Sequence, residues 1–298
     1  MLVRVSLVLP YLLRLPNGSY PAGAEGGSLD LIEKYVPEPN GSGTKRTAIS
    51  SVFEASAMAE LEQQLVIKNH EADAQLRRTN RLIRWYRSET RQAAVVEVTR
   101  VQASPFVFTE RNTHSLWGKG LIFEADPPTV LATQSVTSIA RAVRSGMAGS
   151  KDPEVANLFL LDAEQALRDG RFRETVLFCW STIDATFNTK YEWLVDQTLV
   201  GEWAAARDWL KDTRFGMKNK MSAILFLTTG RSLFREPDDL WADLAQSYTK
   251  RNKIIHAGET AQEEDAELAV RVAHKVIKLM AGIKAKKLSR QKVVFRDH

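Results

Sequence analysis

The sequence predicts an α+β amino-terminal domain, residues 1–148, followed by an all-α helical bundle over residues 149–298 that carries a basic tail. Three observations predict it. The first half mixes short apolar alternations with loops rich in glycine, proline and serine, as strands and their turns require. Turn formers then thin out beyond "RSGMAGSKDPE", residues 144–154, which has the composition of a linker. Past that point helical periodicity takes over, with start and stop signals at helix-length intervals.

At the amino terminus Val3, Val5, Leu7 and Leu9 alternate with Arg4, Ser6 and Val8, the period of a half-buried strand. Arg4, "VSLVLPYLL" and "PAGAEGG" together have the outline of a secretory leader, but Pro10 and Arg14 interrupt the apolar run early. "LPNGSYPAGAEGGS" and "VPEPNGSGT" read as loops between two strand-like pieces. From Ser51, with Glu54 as its capping-box partner, a helix is expected. Its apolar stripe runs through Met58, Leu61, Leu65, Ala72, Leu76, Ile83 and Tyr86, with a break near Asn69 and His70. "AAVVEVTRV" and "SPFVFTE" have the β-branched and aromatic content of strands, and "GKGLIFEADPPTVLAT" reads as a strand with its exit loop.

In the second half Asp152 can cap a helix that begins at Pro153 and stops at Gly170. A second helix runs from about Phe172 toward Leu199, and shorter ones cover 202–212 and 217–228. Another opens near Asp238 and ends at His256 and Gly258. Thr260 and Glu263 form a capping box for the last helix, whose apolar stripe is Leu268, Val272, Val276 and Leu279.

Composition narrows the functional classes. The chain of 298 residues is 44% hydrophobic and 26% charged, ordinary values for a globular protein. No stretch approaches the roughly 18 uninterrupted apolar residues of a membrane span, so a cytoplasmic protein without membrane contact is expected. One cysteine, Cys179, excludes an intrachain disulfide and the usual thiolate metal sites. His70, His114, His256, His274 and His298 lack metal-ligand spacing, and no metal or cofactor is expected. "WGKG" lacks the rest of a phosphate-binding loop, and no hydrolase or dinucleotide motif occurs.

The formal charge of +5 is compatible with a phosphate-bearing partner. Arg77, Arg78, Arg81, Arg84, Arg87 and Arg91, beside Trp85 and Tyr86, form either a solvated helix face or a track for a phosphate backbone. The tail after Met280 carries Lys284, Lys286, Lys287, Arg290, Lys292 and Arg296 against Asp297, and either solubilises the chain or binds a backbone.

"TKRNKIIHAGET", residues 249–260, raises the sharpest question. Asn252 and His256 stand four residues apart on one helical face, and Arg251 is one step round with a side chain long enough to join them. One reading is structural: cations at a helix C-terminus bind its free carbonyls and offset the dipole, worth ~0.3–1 kcal/mol each. The other is a site. Asp184 can fix Arg251 by pairing or touch solvent, and Tyr248, one turn before Asn252, can stack on a base or pack in the core.

The surroundings of that motif resemble the HEPN domain family (higher eukaryotes and prokaryotes nucleotide-binding), whose hallmark is an arginine and a polar residue followed at short distance by a histidine. Here these are Arg251, Asn252 and His256. "LLDAEQALRDGRFRETVLFCWSTIDATFNTKY" looks like the family's first two helices, with the gap at Gly170 and the acidic Asp184 midway through the second. The likeness covers residues 152–283 and none of the amino-terminal domain.

It implies a metal-independent endoribonuclease that works as a homodimer on RNA, in a toxin or antiviral defence setting. The amino-terminal domain would then meet a regulatory protein or a phage-derived ligand. In that role the imidazole of His256 moves protons and Arg251 holds the phosphate. Asn252 orients one or the other, and Lys250, Lys253, Lys286, Lys287 and Arg290 are candidate RNA contacts. The alternative is a non-catalytic module of the same likeness that binds a nucleotide or a protein.

Overall fold

Alternation at the amino terminus becomes strand β1, Leu2–Val8, and its inward residues Val3, Val5 and Leu7 are buried. In the computed structural model β1 sits inside a six-stranded antiparallel sheet of order β2-β3-β4-β1-β5-β6. The other strands are β2 Gly18–Pro21, β3 Ser28–Pro37, β4 Gly43–Glu54, β5 Val107–Glu110 and β6 Leu116–Gly118. The structure describes residues 2–9, 13–22, 27–37, 43–54, 61–100, 107–110, 116–118, 135–149, 151–199, 204–211, 217–235 and 239–285. Among them no helix is long and apolar enough to cross a membrane.

The chain divides into two units, Met1–Glu154 and Val155–His298. In the first, register sets the buried face: Leu7 lies opposite Ile49, which lies opposite Leu31 on its other side. Helices α1, Leu61–Thr90, and α2, Val136–Ala148, cover that face with Leu82, Ile83 and Tyr86 from one and Ile139, Val143 and Met147 from the other. The second unit is helical: α3 Val155–Arg168, α4 Phe172–Thr198, α5 Ala204–Lys211, α6 Met217–Asn219, α7 Leu225–Thr229, α8 Leu240–Ala257 and α9 Glu263–Gly282. A π-helical turn, Lys220–Ile224, joins α6 to α7. Helix α4 is the hub, packed by α3, α8 and α9 around Trp180, Ile183, Phe187, Leu244, Ile254, Val272 and Val276. An α+β sheet unit followed by a helical unit is thus the architecture.

Several expectations are corrected. Ser51 does not start a helix. It lies in β4, buried, and its hydroxyl donates to Gln75 Oε1 at 2.6 Å, because Thr47, Ile49 and Ser51 follow the two-residue period that pairs with β1. Helix α1 begins at Leu61 and passes Asn69 and His70 without a break. The predicted loop at Gly18 contains β2, held by buried Tyr20, whose ring carries the Arg144 guanidinium at 4.5 Å. "AAVVEVTRV" buries Val95 and Val98 yet forms no ladder over residues 93–100, since the Asn80 side chain satisfies both the N–H and the C=O of Val98 at 2.9 Å. Residues 119–133 of the third predicted strand and its loop lie outside the described residues.

The linker expectation also shifts. Its first part belongs to α2, and Asp152 does not cap a helix. Its carboxylate accepts from Arg81 Nε at 2.9 Å and Arg84 Nη2 at 3.0 Å. Arg81 is buried and donates further to the carbonyls of Ala22, Met147, Gly149 and Lys151, so this arginine holds together segments distant in sequence. Arg84 also pairs with Glu97, and Arg87 is buried. Much of the arginine run is therefore internal scaffolding, neither a solvated face nor a phosphate track.

Candidate functional site

Residues Trp180, Asp184 and Asn188 recur every four positions in α4 and so project from one side of it. Tyr248 and Arg251, three apart in α8, meet that side. Trp180 Nε1 donates to Ser247 Oγ at 2.9 Å, and its ring meets Tyr248 edge-on with centroids 5.1 Å apart. These contacts set the spacing of α4 and α8 where a cavity of about 320 Å³ opens. Met217 of α6 and Lys220 of the π-helical turn complete its lining. Lys220 Nζ also lies 5.4 Å from the centre of the Tyr191 ring.

Electrostatically the cavity is mixed. Asp184 is half-buried, and burial pushes its carboxyl above the usual range while the Arg251 guanidinium pulls it back down. Arg251 Nη1 donates to Asn252 Oδ1 at 3.0 Å. This bears on the helix-terminus reading. The carbonyl of Ile254 in the last turn of α8 accepts from Arg173 of α4 at 3.5 Å, while Arg251 donates to Asn252 and lines the cavity with Asp184. Gly258, at φ +67°, ends α8, and its N–H donates to Ile254 O. The capping box of α9 forms at Gln262 and Asp265, two residues later than Thr260 and Glu263, which leaves Glu263, Glu264 and Asp265 in the first turn to favour the dipole.

The structure brings Arg251, Asp184 and Tyr248 to one cavity, and Asn252 is linked to them through its hydrogen bond with Arg251. His256 stands one turn beyond Asn252, but its side chain is exposed and is not among the residues lining the cavity with Arg251. A helical step of 100° per residue explains why, since His256 stands well round the helix from Arg251 and faces away from buried Ser247 and Ile254. Lys250 is committed elsewhere, its ammonium 2.6 Å from Glu259 and 3.0 Å from Asp265, tying α8 to the turn before α9 and to the first turn of α9. Lys253 is exposed and 3.8 Å from Glu259. Lys286, Lys287 and Arg290 lie outside the described residues. Tyr248, half-buried, packs on Trp180 and lines the cavity at once, so its two readings are not exclusive.

Trp180, Asn188, Met217 and Lys220 were not singled out from sequence. The four-residue recurrence in α4 is a signal that could have found the first two, whereas nothing local foretells the π-helical turn that presents Lys220. His274 is exposed and pairs with Glu164 at 3.2 Å when protonated. Among the described residues no group of three or more His, Cys, Asp or Glu side chains gathers in a form that could hold a metal ion. Searches against family models, curated proteins and solved structures return no match for this chain.

Proposed function

We propose that the helical unit is an endoribonuclease of the HEPN type, acting as a homodimer on RNA without a metal ion. One observation carries this reading. Arg251 lines the cavity together with the half-buried carboxylate of Asp184 and donates to Asn252, while the Ile254 carbonyl at its helix end accepts from Arg173 and from the Gly258 N–H. A guanidinium placed so can grip a phosphate by two hydrogen bonds.

The chemistry follows from the residues. The ribose 2'-oxygen attacks the adjacent phosphorus and loses its proton to a base. The bond from phosphorus to the 5'-oxygen breaks, and that oxygen takes a proton. The products are a 2',3'-cyclic phosphate and a 5'-hydroxyl. Imidazole suits the proton transfers, which are assigned to His256. Arg251 stabilises the charge that grows on the phosphate oxygens, and Asn252, joined to Arg251, orients it. A toxin or antiviral defence role, with a regulatory protein or phage-derived ligand at the amino-terminal unit, rests on the family resemblance alone.

A second reading is favoured by the position of His256, exposed and outside the cavity that Arg251 lines. In it the bundle binds a nucleotide or a partner protein and does no chemistry. Incubating the full chain with labelled RNA in EDTA separates the two. Fragments with 2',3'-cyclic phosphate ends are expected from the enzyme, and retention in a gel shift without cleavage from the binding module.

A further inference from the structure

We propose that the cavity beside Arg251 selects a guanine base of the bound RNA, with Asp184 as the selecting group. This deepens the ribonuclease reading and rests on it for the assignment of Arg251 to the neighbouring phosphate.

The volume, about 320 Å³, lies at the lower end of small-ligand clefts, which begin at roughly 300 Å³, so the cavity takes one base and not a duplex. Its lining includes half-buried Tyr248 and Met217, with Trp180 buried behind Tyr248, and an aromatic and a thioether side chain are surfaces against which a planar heterocycle packs. The polar groups then discriminate. An ionised carboxylate only accepts hydrogen bonds. Guanine alone among the four RNA bases presents two adjacent donors on its Watson–Crick edge, N1–H and the N2 amino group, and a carboxylate can accept both. Adenine, cytosine and uracil each set an acceptor beside a donor there, which a carboxylate repels.

Asn188, one turn along α4, offers an amide donor for guanine O6. Lys220 and Arg251 place two cations in the same lining, as the phosphates flanking a captured base require. Asp184 is half-buried, which limits competition from bulk water for its hydrogen bonds.

Calorimetric titration of the full-length protein with the four nucleoside 3'-monophosphates and with inorganic phosphate tests this. The guanosine form should bind roughly ten- to hundredfold more tightly than the other three. Asp184→Asn should abolish that preference, while inorganic phosphate binds at least as tightly as to the wild type, because a negative charge beside Arg251 and Lys220 is removed. Asn188→Ala, which removes no charge, should weaken the guanosine form selectively and keeps the test decisive if Asp184→Asn does not fold. Equal affinity for all four nucleotides overturns the proposal, as does a guanosine preference that survives both substitutions. Cleavage of RNA with no guanine preference beside the cut removes the base selection and leaves the ribonuclease standing. Selective guanosine binding by a protein that never cleaves does the reverse.

Discussion

The carboxyl of Asp184 and the guanidinium of Arg251 act on each other across the cavity between α4 and α8: burial raises the pKa of the acid, and the cation opposes the rise. Removing the cation should therefore leave the burial effect unopposed. In Arg251→Ala, Asp184 is expected to titrate higher than in the wild type, read by carbon-detected NMR with Asp184→Asn as the assignment control. An unchanged value in the variant would show that the two groups do not interact.

The same shift fixes the sign of a stability effect. A carboxyl whose pKa is raised on folding contributes stability below its unfolded pKa and loses it as pH rises through the folded value. Asp184→Asn cannot ionise, so its melting temperature should gain on the wild type as pH climbs through and above the ordinary carboxylate range. A gap that narrows with rising pH would mean that Arg251 outweighs burial.

Gly146 in α2 lies against Trp85 of α1 so closely that an added Cβ would sit 2.4 Å from the indole ring. Gly146→Ala should cost about 1–3 kcal/mol, the range for overpacking a core contact, and lower the urea midpoint without changing the slope. Unchanged stability would mean that Trp85 swings aside freely.

Arg81 links Ala22, Met147, Gly149, Lys151 and Asp152. Arg81→Ala strips these acceptors of their donor and should destabilise the amino-terminal unit by about 2–4 kcal/mol. Denaturant unfolding reads the cost. An exposed arginine that merely tracked a phosphate backbone would show almost none.

Cys179 is fully buried, and burial pushes its thiol up to about 12. A thiol that remains protonated and inaccessible should react with an aromatic disulfide reagent only as fast as the helical unit opens. Rapid labelling of the native protein would place Cys179 outside the core.

Much of the helical unit was legible because its signals are local. Gly170 at φ +71° ends α3 and Gly258 ends α8, as a residue without a Cβ can, and the stripe Leu268, Val272, Val276 packs on α4 as its spacing requires. The errors fell where long-range pairing overrode local preference. Ser51 and Glu54 spell a capping box, yet pairing with β1 claims the segment for the sheet. Val98 has strand propensity, but the Asn80 side chain takes the hydrogen bonds that a ladder needs.

At the site the motif was visible and its geometry was not. Spacing put Asn252 and His256 on one face, yet it could not show that Arg251 lines a cavity with Asp184 while Arg173, distant in sequence, reaches the Ile254 carbonyl at the helix end. Lys250 looked like a phosphate contact because its partners Glu259 and Asp265 meet it only once the turn after Gly258 is built.

The most direct test of the central claim compares wild-type protein and His256→Ala on total RNA and a labelled tRNA pool in EDTA, reading fragment lengths and 3'-end chemistry. Because His256 is exposed, its removal should leave the melting temperature unchanged. Cleavage by the wild type alone, leaving 2',3'-cyclic phosphates, is the predicted result. Equal cleavage by the two proteins, or none by either, would contradict it.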